Sequence, residues 1–119
     1  MIIYIAGRYR ADKELMVDRH VAVAEYFGIL VMEKGHFPLI PHTNTGRFER
    51  MVDYPDRIYL EGTMDLLRRC DGILMIPGWR KSEGAVAELE KAKRDGHCIF
   101  MSIDDVPWGW DEDEATLDG

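Results

Sequence analysis

The stretch GILMIPGWRKSEGAVAELEKA, residues 72–92, changes character twice within 21 residues. Residues 72–76 form an apolar, β-branched run of strand length, and Pro77-Gly78 ends it. A short polar and basic turn leads to Ser82, a residue that caps helices well. From there the apolar positions recur at helical spacing. A fully apolar strand running through a brief turn into a helix is the repeating unit of a parallel sheet covered on both faces. On a helical wheel Ala85, Leu89 and Ala92 share one stripe, with Val86 beside it, and Glu83, Glu90 and Arg94 fall opposite. This spacing predicts that Glu83 and Glu90 are solvated and that Glu90 pairs with Arg94 at i,i+4. Glu88 differs: it sits roughly 40–60° from Ala85 and Ala92, on the shoulder of the buried stripe.

Working outward, the same alternation recurs. IIYIA (2–6) is an apolar run ending at Gly7, as a buried strand does before a turn. From Lys13 to Lys34 the period becomes helical, with Val17, Val21, Ala24, Gly28 and Val31 in register and Gly35 as the C-cap glycine. FPLIP (37–41) reads as a second short strand, its prolines tolerable at the ends. Residues 43–56, TNTGRFERMVDYPD, read as a long loop with one helical turn, and loops of that length are often functional. A helix over 57–69 precedes the central stretch, and CIFMSI (98–103) follows it as a strand. The order predicts a doubly wound α/β layer of four to five parallel strands, joined by right-handed crossovers.

The 119 residues are 46 % hydrophobic, which fits one domain around one core. Charge is unevenly placed. All 15 Lys and Arg lie within residues 1–103 with 15 of the 22 Asp and Glu, so the net charge of -7 arises from the acids of 104–119. We therefore divide the chain into a domain over 1–103 and an acidic C-terminal tail over 104–119, whose Trp108 and Trp110 could pack back onto the body or onto a neighbouring subunit. A neutral body without a basic stripe excludes duplex nucleic acid as the expected partner. No run approaches the roughly 20 apolar residues of a membrane span, and MIIYIAGRYR does not read as a secretory leader. A reducing cytoplasm is the expected compartment, with Cys70 and Cys98 as plain core residues. No metal-ligand spacing is present, and no cofactor is expected.

In a doubly wound sheet, ligands sit beyond the carboxyl ends of the strands. Segments 7–12, 42–56 and 77–83 reach that edge. Pro77-Gly78 lets backbone approach a ligand, and the helix start at Ser82 offers free amides to an anion. Glu88 then has two readings: a flanking side chain whose head reaches water, or a partly desolvated carboxylate facing the cleft.

Four pieces in chain order, YIAGRYR, LIPH, CDGILMIPGW and Ser82-x-Gly84-x-x-x-Glu88, together resemble the nucleoside 2-deoxyribosyltransferase-like superfamily over residues 2–103. Its small uncharacterised branch is the most similar, and nucleoside 5′-monophosphate N-glycosidases are related. The resemblance implies an enzyme that hydrolyses or transfers the N-glycosidic bond of a nucleoside or its 5′-monophosphate. Glu88 matches the nucleophile that forms a covalent glycosyl-enzyme. Ser82 matches a 5′-phosphate contact, with Gly78, Trp79 and Gly84 in the same motif. Tyr4, Gly7 and Arg10 match residues that line base and sugar, and His42 matches a histidine after the second strand. The ordinary readings stand beside these: Tyr4 as core, Arg10 as a solvated charge, His42 as a loop residue. One position departs from the pattern. The family usually carries an aspartate eight residues before Asp71, and Thr63 stands there. A non-catalytic nucleotide-binding module is the alternative that this departure favours, and a nicotinamide-dinucleotide glycohydrolase is a third reading. The implied partner is a small nucleoside or nucleotide, with homo-oligomers expected because family members often complete the site from a neighbouring subunit.

Overall fold

The computed structural model describes residues 1–111; the end of the acidic segment, 112–119, lies outside the described residues. Four strands, β1 (Ile2–Ala6), β2 (Phe37–Leu39), β3 (Gly72–Met75) and β4 (Cys98–Phe100), form one sheet of order β2-β1-β3-β4. Every pairing is parallel. The chain leaves β1 for β2 on one side and returns to place β3 on the other, so the order reverses between β1 and β3. This sets a crevice beyond Ala6 and Met75.

Helices α1 (Glu14–Glu33), α3 (Asp56–Arg68) and α4 (Glu83–Asp95) cover the sheet, and a single turn, α2 (Pro41–Asn44), follows β2. The side-chain alternation of β1 and β3 divides the core in two. Ile3, Ile5, Leu74 and Ile76 meet Ala24 and Val31 of α1 on one face. Tyr4, Ala6, Ile73 and Met75 meet Leu67 of α3 and Ala85, Leu89 and Ala92 of α4 on the other. The helices thus cover both faces, as the apolar strands require. Asp71 ties the amino ends of the two central strands together. Its carboxylate accepts from the Ile2 amide at 2.7 Å, and its own amide donates to the Ile2 carbonyl at 2.9 Å.

Several boundaries differ from the sequence expectation. The segment 43–56 holds the end of α2 and a 3-10 turn, Phe48–Arg50, because Pro41 starts a helical turn that the FPLIP reading gave to a strand. The strand expected over 98–103 stops at Phe100, and a further 3-10 turn, Ile103–Asp105, capped by the Ser102 hydroxyl, follows it. This edge position also corrects the reading of the cysteines: Cys70 is buried, but Cys98 lies exposed on β4. Glu90 is exposed as expected, yet its partner is Lys93 at 3.8 Å, whereas Lys91 pairs with Asp95 at 3.0 Å.

After β4 the chain returns along the end of α1. Val106 is buried in the α1-side core, and the Lys34 ammonium donates to the carbonyls of Ile103 and Val106 at 2.7 and 2.9 Å. The Trp110 indole donates to the Glu33 carbonyl at 3.0 Å, while Trp108 is exposed.

Candidate active site

Beyond β1, Gly7 packs so closely on the buried Ile76 that a Cβ there would overlap its side chain. Gly78, after β3, adopts φ +91°, a left-handed conformation that glycine accepts without strain. The two turns approach each other, since a Cβ on Gly78 would stand 3.1 Å from the Arg8 Cδ. Trp79 packs half-buried against the α3/α4-side core, and the Arg80 guanidinium lies over its ring at 4.6 Å.

α4 then begins as its sequence dictates. The Ser82 oxygen accepts from the Ala85 amide at 3.1 Å, and Gly96 closes the far end at φ +76°. Capping uses the Ser82 oxygen as acceptor, so its O–H is not consumed by the cap. A Cβ added to Gly84, in the first turn, would come within 3.9 Å of that same oxygen, an ordinary contact.

Two turns into α4, Glu88 is buried with only 9 % of its surface exposed. Its Oε2 accepts a hydrogen bond from the Tyr4 hydroxyl, which reaches it from the middle of β1 through a fully buried ring. Thr63, on α3, donates its hydroxyl to the Leu60 carbonyl at 3.1 Å and lies near enough to Tyr4 to work against the rise of the phenol's pKa. Tyr4, Thr63 and Glu88 therefore meet in the layer between the sheet and the α3/α4 pair. Burial raises the Glu88 carboxyl from 4.5 to about 7, against the opposing pull of the Tyr4 hydrogen bond. The Tyr4 phenol is held well above its ordinary 10, first by burial and then by the Glu88 charge, so Tyr4 stays the donor.

His42 occupies the neighbouring turn. It is buried, its Nε2 donates to the Arg8 carbonyl at 2.9 Å, and its Nδ1 is buried without a partner among the described residues. Burial lowers its pKa below 6.5, so the ring is neutral and Nδ1 is a bare acceptor. Tyr9 stands edge-on to this ring and donates to the Gly46 carbonyl at 2.6 Å, which fastens the loop after α2 to the loop after β1. Sequence reasoning did not single out Tyr9. A tyrosine beside glycine and arginine in a loop carries no period, and its partner is 37 residues away.

Arg10 lies apart from the Tyr4–Glu88 contact. It is half-exposed and bridges Glu49 at 3.2 Å and Asp56 at 3.1 Å. Arg50 is similarly placed, 2.8 Å from Asp18 and 3.7 Å from Glu14. Open hollows elsewhere, one beside Met1, His36 and Trp110 and one on the outside of α3, contain none of these residues. No group of three metal-ligating side chains occurs among the described residues, and no described helix is long and apolar enough to cross a membrane.

A four-stranded parallel sheet with a reversed strand order, covered by helices on both faces, defines a doubly wound, Rossmann-like α/β fold. The fold resembles the solved structure of a 2-desoxiribosyltransferase from Leishmania mexicana, with a TM-score of 0.57 and 24 % identity over 82 % of this chain. The match spans 61 % of that protein's length. Residues 1–101 match the domain family described as a domain of unknown function, DUF4406, and the chain belongs to that family. No curated protein matches the sequence.

Proposed function

We propose that the chain hydrolyses or transfers the N-glycosidic bond of a nucleoside or a nucleoside 5′-monophosphate, with Glu88 as the nucleophile. The observation that carries this reading is a carboxylate, the one buried among the described residues, hydrogen-bonded by a tyrosine and placed on the helix that starts at the crevice. Departure of a base from the anomeric carbon leaves an oxocarbenium-like centre, which a negative oxygen stabilises and then captures as an ester. The C–N bonding pair leaves with the base, which takes up a proton. Water attacking the ester releases the sugar and regenerates the carboxylate, and a second base in place of water makes the reaction a transfer. Tyr4 positions Glu88 and holds its charge by donating to Oε2. The Ser82 hydroxyl and the free amides of the first turn of α4 suit a 5′-phosphate, and the bare His42 Nδ1 suits a donor on sugar or base. The domain over 1–103 would carry the whole of this chemistry.

A specific observation favours a second reading, a nucleotide-binding module without turnover: Thr63 places a hydroxyl, not an acid, beside Tyr4, so the leaving base has no evident proton donor there. Release of free base from a panel of nucleosides and 5′-monophosphates separates the two. The catalytic reading expects release by the wild type and at least about 10³-fold less by Glu88→Gln. Binding without release of any base by the wild type supports the module.

A further inference from the structure

Three buried side-chain polar atoms lack a hydrogen-bond partner among the described residues: His42 Nδ1, the Tyr59 hydroxyl and His97 Nε2. A fold leaves few such atoms, because an unpaired buried polar group costs free energy. His97 lies between α4 and β4, at the amino edge of the sheet and away from the crevice. Tyr59 belongs to the inward face of α3, which runs Tyr59, Thr63, Leu67 in steps of four, partly buried at the first two and fully buried at the third. The helix begins at the crevice, where Asp56 pairs with Arg10 of the loop after β1 at 3.1 Å, and descends toward the start of β3. Tyr59 therefore stands one turn, about 6 Å, closer to the mouth than Thr63. The charges that act on its hydroxyl are those of Glu49, Arg10 and Asp53, from the segments that border the crevice, and the Tyr9 phenol beside His42 feels it in turn. Glu49 is itself engaged by Arg10 at 3.2 Å. Burial, and then the Glu49 charge, raise the Tyr59 phenol above its ordinary 10, which keeps it a donor.

We propose that the Tyr59 hydroxyl recognises the nucleobase, donating a hydrogen bond to a ring nitrogen or carbonyl oxygen of the base. The inference rests on the reading of the crevice as a nucleotide site, and it holds for an enzyme and for a binding module alike. Charge selects the base over the other parts of a nucleotide. Around Tyr59, Glu49, Asp53 and Asp56 outnumber Arg10, so this side of the crevice repels a phosphate, which the start of α4 attracts instead. The sugar belongs between the two, with its anomeric carbon toward Glu88. The neutral base is the part left for the α3 side, where Tyr59 provides a neutral donor. A base that departs gathers negative charge, and the phenol meets that charge one turn above Thr63, which supplies no acid.

Two measurements test it. In melting experiments without ligand, Tyr59→Phe should match or exceed the wild-type midpoint, since it removes a hydroxyl that the fold leaves unpaired. A midpoint lower by more than about 4 °C would show that the hydroxyl has a partner within the fold and would overturn the proposal. Calorimetric titrations then use Glu88→Gln, in which no glycosyl ester can form, with and without Tyr59→Phe. The probes are the 5′-monophosphates of adenosine, guanosine, cytidine and uridine, and ribose 5-phosphate, which has no base. Tyr59→Phe should weaken the tightest-binding monophosphate by at least about ten-fold and leave ribose 5-phosphate within about two-fold. An unchanged affinity for the monophosphate, or an equal loss for both kinds of probe, would overturn the proposal and leave the nucleotide reading standing. Failure of every monophosphate to bind would overturn both.

Discussion

Glu88 makes a prediction that needs no substrate. Burial raises its carboxyl from 4.5 to about 7, so the folded protein holds a proton there that the unfolded chain has lost. A raised acid pKa means that folding is unpenalised below about pH 4.5 and increasingly penalised as the pH climbs toward the folded value. At about 1.4 kcal/mol per pKa unit, the full penalty is roughly 3 kcal/mol, of which about 2–3 kcal/mol develops between pH 5 and pH 8. Glu88→Gln keeps the shape and an acceptor for Tyr4 but cannot ionise. The stability of the variant relative to wild type should therefore rise by about 2–3 kcal/mol from pH 5 to pH 8, whatever constant cost the extra amide hydrogens impose. Other titrating groups are common to both proteins and cancel in the difference. Urea unfolding of both proteins at pH 5, 6, 7 and 8 measures it. Parallel curves, with a constant offset, would refute the claim that the carboxylate is desolvated in the fold, and with it the physical basis for a tuned nucleophile.

Further expectations follow from the same geometry. Glu83→Gln and Glu90→Gln, both at exposed positions, should change stability by no more than about 0.5 kcal/mol and leave any base release intact, as melting and turnover measured beside Glu88→Gln would establish. In the native protein a chromogenic disulfide should label Cys98 quickly and Cys70 only on unfolding, because Cys70 is buried and its thiol is pushed up to about 11; two fast equivalents would contradict this. The segment 43–56 is fastened by exposed ion pairs that individually hold little, and a bound nucleotide should slow its amide exchange. Unchanged exchange would make it a connector.

What the sequence disclosed follows from the range of the interactions involved. The β1 run, the Ser82 cap and the shoulder position of Glu88 are local facts of spacing, and each is found where the spacing puts it. The reversal of strand order required only that α/β units wind both ways. Arg10 was different. Its partners lie 39 and 46 residues along the chain, and a lone arginine in a loop has no period to disclose them. Cys98 misled because the apolar run CIFMSI looks buried, whereas only three of its residues enter the sheet, and they do so at an edge. The Tyr4–Glu88 contact joins residues 84 apart. Each end was suspected separately, and only the register of α4 over β1 joins them.

The place of β1 in the sheet also governs how the chain can be made. It is the strand whose five residues emerge first among the four, yet it lies between β2 and β3, and its partners in β3 are about 70 residues downstream. At roughly 5–20 residues per second, a ribosome exposes IIYIA for several seconds before Gly72–Met75 appears. Until then β2 and α1 can cover only one edge and one face, leaving Tyr4 and Ala6 without the α3/α4 layer. An uncharged, β-branched segment waiting in that state is open to pairing with another nascent chain. Synthesis rate and temperature should consequently decide the soluble yield of this domain more than the stability of its finished fold.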